Sequence, residues 1–166
     1  TEQANGSLQT DTVTYNDQSQ VIEFLNSYYG TKSFYANKQW TNYNGEEDIT
    51  LKLYYREVLD EENYSPWREY TANYVVELDK QDTEPGQTAD WGISIHDLPD
   101  FINNQSVQYG VAEVGMDNNY TVIYKDVSGN LITEDNNGLR IAPHGGTIIN
   151  ELETTEVSVL KNWKGD

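Results

Sequence analysis

The sequence predicts an all-β chain folded as an antiparallel β-sandwich. Short segments with alternating apolar and polar residues recur along the chain, turn-forming residues separate them, and helical periodicity is almost absent. Such regular interruption of short strands is typical of a sandwich. In chain order the predicted strands are Thr12–Tyr15, Val21–Tyr28, Ser33–Trp40, Ile49–Val58, Arg68–Leu78, Ala89–Ile95, Val107–Val114, Tyr120–Lys125, Leu139–Ala142, Thr147–Leu152 and Glu156–Asn162.

The breaks between these strands have the composition of turns. Asn, Asp and Gly accept positive φ and are concentrated in four of the breaks, one of which also contains a proline. These breaks are Asn44-Gly45, Glu84-Pro85-Gly86, Asp126–Asn130 and Asp135–Gly138.

The composition limits the classes of function. The 166 residues carry a formal net charge of -18, and this field would repel nucleic acid and anionic membranes, so neither is an expected partner. The absence of cysteine excludes disulfides and thiolate metal sites. No apolar run approaches the roughly 18 residues of a membrane helix. The sequence shows no signal peptide, which is what we expect if it is an internal fragment.

A lysine occupies an inward-facing position in each of two similar strands. Phe34–Trp40 and Val157–Trp163 share the spacing apolar, x, apolar, x, Lys, x, Trp, with their lysines about 123 residues apart. Strand side chains alternate between faces, so Lys38 and Lys161 lie on the same face as the core residues of their strands. Because lysine is almost never fully buried without a partner, each of these lysines requires one.

An asparagine precedes each lysine by roughly a dozen residues. Asn26 and Asn150 both lie on the apolar parity of their strands, and the repeated offset indicates tandem units of somewhat over 120 residues. We therefore predict the end of one repeat at residues 1–29, a complete domain at 30–153, and the first strand of a third repeat at 154–166.

A glutamate provides a third inward polar group. Glu113 shares a strand face with Tyr109 and Val111, and Glu2 precedes Asn26 much as Glu113 precedes Asn150. The similarity of the chain's start to the Glu113 strand consists of only two residues, Thr1-Glu2.

The order of these residues resembles the Cna B-type domain, the stalk module of Gram-positive surface adhesins and pilins. The likeness covers about residues 31–153 and depends on Lys38 before Trp40, the stretch Trp91–Pro99, Glu113 at the end of its strand, and the closing Ile-Ile-Asn. It implies an immunoglobulin-like, prealbumin-like sandwich.

The resemblance also implies an intramolecular isopeptide bond, in which the Lys38 amine attacks the Asn150 side-chain amide and expels ammonia. Burial disfavours charge, so it favours the neutral amine of Lys38 and the neutral acid of Glu113. Glu113 would donate to the Asn150 carbonyl oxygen and then shuttle a proton to the departing nitrogen. This is a single self-maturation event without a cofactor, so the chain is not expected to be an enzyme.

The same resemblance implies a setting and partners. The expected location is the cell wall-anchored surface of a Gram-positive bacterium, and the expected partners are neighbouring repeats, with a host matrix or glycan ligand bound elsewhere. Lys161, Asn26 and Glu2 would be the equivalent residues of incomplete neighbouring repeats. Alternatively, Lys161 of one molecule would meet Asn26 and Glu2 of another to give head-to-tail chains.

Simpler interpretations of the three residues remain open. Lys38 can extend its amine to water from an edge strand, Glu113 can be a solvated strand residue, and Asn150 can close a strand. A different function is a carbohydrate- or host-protein-binding module that uses exposed aromatic residues between Tyr54 and Trp67. A glycosidase is disfavoured, since acidic residues are too plentiful here for any pair to be informative.

A metal site is not expected. His96 and His144 are the only histidines and lack ligand spacing around them. Asp117-Asn118-Asn119 resembles half of a calcium loop, but the glycine and the closing glutamate are missing at the expected offsets. Weak calcium binding there stays open.

Overall fold

The computed structural model describes residues 7–9, 27–45, 48–115, 119–135 and 138–152. Within these ranges the chain forms twelve strands and no helix, which confirms the all-β prediction. The strands are β1 (Ser7–Gln9), β2 (Ser27–Tyr29), β3 (Thr31–Thr41), β4 (Thr50–Glu57), β5 (Arg68–Glu69), β6 (Glu77–Lys80), β7 (Ala89–Pro99), β8 (Phe101–Ile102), β9 (Gln105–Val114), β10 (Tyr120–Lys125), β11 (Ala142–Pro143) and β12 (Thr147–Leu152).

Most of the strands form two sheets whose pairing is almost entirely antiparallel. One sheet has the order β10-β12-β3-β7-β6, and the other has the order β11-β9-β4-β5, with β8 paired to β9. β1 and β2 form a separate antiparallel pair. The exception is the parallel pairing of β3 with β12, which sets Ile148 opposite Lys38 and Asn150 opposite Trp40. In chain order β3 is the first strand of the two five-stranded sheets and β12 is the last, so their pairing joins the two ends of that part of the chain.

The core lies between these two sheets. On β3, period-two alternation turns Phe34, Ala36, Lys38 and Trp40 inward, and all four are buried. Burying each large apolar side chain contributes roughly 1.5 to 3 kcal/mol, so Phe34 and Trp40 on this face stabilise the fold. The opposing sheet supplies buried residues from β4 and β9, namely Leu51, Leu53, Val107, Tyr109 and Val111.

Several predicted strands match the structure closely. β10 and β12 have their predicted bounds, and β3, β4 and β9 differ from prediction by one or two residues at their ends. β7 continues to Pro99, beyond the predicted end at Ile95, because a bulge with Asp97 at φ 57° absorbs an extra residue.

Two of the predicted strands are wrong, and one strand was missed. Arg68–Leu78 contains no single strand, because the chain crosses there from β5 in one sheet to β6 in the other. Most of Leu139–Ala142 is irregular, and only Ala142 belongs to a strand. The short β8 was not predicted, although the turn that follows it has Asn103 and Asn104 at φ 51° and 61°, as tight hairpins require.

The repeat organisation stays a prediction. The candidate strands Thr12–Tyr15 and Glu156–Asn162, and most of Val21–Tyr28, lie outside the described residues. Among the residues that the structure does describe, none belongs to a helix of the length and apolarity needed to cross a membrane.

Candidate functional site

Three polar side chains from three strands meet inside the core. Lys38 comes from β3, Glu113 from β9 and Asn150 from β12. Lys38 and Asn150 are 0 % exposed, and the Glu113 side chain is 1 % exposed. The alternation of strand side chains accounts for the burial of Lys38 and Asn150, because they share their strand faces with the core residues Trp40 and Ile148.

The Glu113 carboxylate bridges the other two groups. Asn150 Nδ2 donates a hydrogen bond to Glu113 Oε1 at 2.9 Å. Glu113 Oε2 lies 3.5 Å from Lys38 Nζ, which also donates to the Gln39 carbonyl oxygen at 3.3 Å. One carboxyl group is therefore within reach of both the amine and the amide nitrogen, which is the arrangement that a proton relay requires.

An aromatic ring that belongs to a larger aromatic cluster lies against the lysine. Lys38 Nζ lies 4.2 Å from the centre of the Trp40 ring. Trp40 in turn packs against Tyr43, Trp91 and Tyr120 with ring centroids 5.3 to 5.9 Å apart, and all four rings are buried. The ring face stabilises an ammonium to some extent, but this wall also keeps water from the amine.

Burial lowers the pKa of Lys38 from 10.5 to about 8, and the nearby Glu113 carboxylate offsets part of that effect. The lowered pKa makes the neutral amine of Lys38 more populated near neutral pH than that of an unperturbed lysine. Only the neutral amine has a lone pair, so the site favours the nucleophilic form.

Stability alone gives little reason for this arrangement. Taking both charges of an ion pair out of water costs about as much as their attraction returns, and apolar replacements are often neutral or stabilising. The three groups are instead those needed for acyl transfer between two side chains, namely a nucleophile, a carbonyl acceptor and an acid–base group.

The structure thus brings together Lys38, Glu113 and Asn150, the three site residues predicted for the complete domain. Lys161, Asn26 and Glu2, predicted for neighbouring repeats, lie outside the described residues. Sequence reasoning missed Tyr124, whose hydroxyl accepts the Glu113 backbone N–H at 2.9 Å. The alternation of β10 shows that Tyr124 faces inward, but nothing in the sequence shows which group it meets.

The aromatic residues of the alternative binding surface are partly used inside the chain. Tyr54 is buried, and the Arg56 guanidinium lies 3.8 Å from the Tyr64 ring centre and 4.5 Å from that of Trp67. One face of each of these two rings is therefore covered.

The two histidines flank the exposed Tyr35 on the outer surface. Both of their rings make edge contacts with Tyr35, at centroid distances of 5.8 Å. Within the ranges described, no three His, Asp or Glu side chains are grouped as a metal site requires. Asp117 and Asn118 of the calcium-like segment lie outside those ranges.

Comparison of the chain with protein-family models, with curated proteins and with solved structures gives no match.

Proposed function

We propose that this chain is a structural stalk module of a bacterial cell-surface adhesin or pilin, and that it cross-links itself through an isopeptide bond between Lys38 and Asn150. Glu113 serves as the proton shuttle. The immunoglobulin-like form of the sandwich and the cell-wall setting rest on the resemblance to the Cna B-type domain.

One observation carries the cross-linking part of the proposal. An amine and a carboxamide, both 0 % exposed, approach the two oxygens of a single buried carboxyl group. Fixed strands make their reaction unimolecular, with effective molarities on the order of 10⁵ M or more.

The bond forms by a balanced exchange. The neutral Lys38 amine attacks Asn150 Cγ. The neutral Glu113 carboxyl gives its proton to Nδ2 and takes in return the proton that the amine loses. The bond between Cγ and Nδ2 then breaks, ammonia leaves, and Glu113 is again a neutral acid. Because Glu113 Oε1 contacts the amide nitrogen, the geometry supports proton delivery to the leaving group more directly than donation to the carbonyl oxygen.

The consequence of the bond is mechanical. Tension applied to the two ends of the described sheets enters at β3 and leaves at β12, which are parallel neighbours. A covalent link between them carries that load and bypasses the strands in between. The bond forms once per molecule, so the proposal includes neither catalytic turnover nor a cofactor.

Tryptic digestion of the denatured chain tests this proposal. An acylated Lys38 resists trypsin, so the bond predicts one branched species that joins residues 33–52 to residues 141–161. Tandem mass spectrometry should locate the branch at Lys38 and Asn150. Separate peptides 33–38, 39–52 and 141–161 at full yield would reject the proposal.

A further inference from the structure

The backbone of Glu113 has a strand partner on one side only. The pairing of β9 with β4 extends as far as Val114 and sets Glu113 opposite Leu51. On its other side β11 pairs only with Gly110 and Val111, so the described strands leave that edge open at Glu113.

Tyr124 takes the place of the missing strand at this point. Its hydroxyl oxygen accepts the Glu113 N–H at 2.9 Å, and its side chain is buried in the main core. Tyr124 belongs to β10 in the opposite sheet, where it pairs with Ile148, two residues before Asn150. One hydrogen bond therefore ties the backbone of the acid–base residue to the strand adjacent to the one that carries Asn150.

A cleft of about 180 Å³ lies beside this contact, and Glu113, Tyr124, Leu139 and Arg140 are among its lining residues. A water molecule in the liquid occupies about 30 Å³, so the cleft has room for several. The Arg140 guanidinium lies 5.3 Å from the Tyr124 ring and donates to the Val122 carbonyl oxygen at 2.6 Å.

We propose that Tyr124 is a positioning residue for the cross-linking reaction, which fixes Glu113 between Lys38 and Asn150 and keeps cleft water from its carboxyl group. This inference rests on the proposed function. The titratable groups that act on Tyr124 are Glu113, Arg140 and Tyr54, and Lys38 acts through Glu113.

Tyr124→Phe removes the hydroxyl and keeps the ring. The Glu113 N–H then bonds to water from the cleft. The same water stabilises the charged pair of Lys38 ammonium and Glu113 carboxylate relative to the reactive pair, in which the amine and the carboxyl group are both neutral. We expect bond formation about tenfold slower, the loss typical of one buried hydrogen bond. The pH range in which bond formation is fastest should also widen. The decrease of the rate in acid should move to lower pH, and the decrease in alkali should move to higher pH.

Tyr74→Phe is the matched control. The Tyr74 hydroxyl likewise accepts a backbone N–H, that of Leu53 at 3.1 Å, but Tyr74 contacts none of the three site residues through it. A merely structural effect of losing such a bond should appear equally in this variant.

The experiment follows the reaction in the full chain. Each protein is isolated in denaturant before it folds, refolded by dilution, and sampled for loss of ammonia by intact mass at a series of pH values. The proposal is supported if only Tyr124→Phe is slowed and its pH profile widens. It is overturned if Tyr124→Phe reacts as wild type does, or if it is slowed with an unchanged profile.

Amide hydrogen exchange on folded wild type provides a measurement that needs no variant. The Glu113 amide should exchange slowly, as hydrogen-bonded strand amides do. Exchange as fast as that of an exposed amide would overturn the proposal even if Tyr124→Phe does not fold. If wild type itself never loses ammonia, the proposed function fails, whereas a reactive wild type with an equally reactive Tyr124→Phe removes only the role of Tyr124.

Discussion

Replacing Glu113 by glutamine isolates the chemistry of the site from its packing. Glutamine has nearly the same size and shape, and the variant retains both cross-linking partners, Lys38 and Asn150. The side-chain amide cannot take a proton from the amine and deliver it to the leaving nitrogen. We expect Glu113→Gln to fold with the wild-type topology and to have the full mass of its sequence, because it does not lose ammonia.

The expected loss of stability follows from the length of the loop. A bond from Lys38 to Asn150 closes roughly 110 residues, and, by analogy with a disulfide, its absence restores about 5 kcal/mol of conformational freedom to the unfolded chain. For a domain of this size 1 kcal/mol corresponds to roughly 3 to 4 °C in Tm. Glu113→Gln should therefore melt about 15 to 20 °C below wild type.

Thermal unfolding and intact mass are measured on the same samples, with Glu69→Gln as the control. Glu69 forms a half-exposed ion pair with Lys52 at 3.0 Å, and such pairs contribute at most about 1 kcal/mol. The control should lose ammonia and melt within a few degrees of wild type. Loss of ammonia by Glu113→Gln would refute the role of the carboxyl group. A variant of full mass with wild-type Tm would refute the loop-closure argument.

Two further predictions concern the buried amine and the strand packing. In Asn150→Ala, which cannot cross-link, the unfolded chain binds a proton at Lys38 between about pH 8 and 10.5 that the folded chain does not. The free energy of unfolding of Asn150→Ala, measured in urea, should therefore rise by about 3 kcal/mol over that pH range relative to the control Lys38→Met/Asn150→Ala. If the free energies of unfolding of the two variants change with pH in the same way, the prediction is contradicted. A Cβ at Gly110 would lie 2.5 Å from Ile141 Cγ2 and 2.9 Å from the Ala142 carbonyl oxygen, so Gly110→Ala should cost about 3 kcal/mol. At Gly92 the nearest atom is 3.4 Å away, and Gly92→Ala should cost clearly less; equal losses would contradict the packing argument.

The sequence predicts the faces of the strands well, because side-chain alternation is a local property. It places Lys38, Glu113 and Asn150 inward before any contact is known, and the structure buries all three side chains. The length of β3 and β12 follows from the same alternation.

Strand partners are a different matter, because alternation does not determine which strand lies beside which. The parallel pairing of β3 with β12 and the hydroxyl contact of Tyr124 both depend on residues distant in sequence. Arg68–Leu78 misled the prediction for a related reason. Its aromatic residues pack across the edge of β4, where Tyr70 N donates to the Leu53 carbonyl oxygen and Tyr74 accepts from the Leu53 N–H. The aromatic residues of Arg68–Leu78 are therefore partly buried because the segment connects the two sheets, and not because it forms a strand.

The isopeptide bond is tested most directly by the intact mass of the purified, denatured chain, measured beside Lys38→Ala and Glu113→Ala. We expect wild type to be lighter than its sequence mass by one molecule of ammonia, and both variants to have their full sequence mass. A wild-type chain of full sequence mass would rule out the bond and would leave Lys38 and Glu113 as a buried ion pair without a reaction.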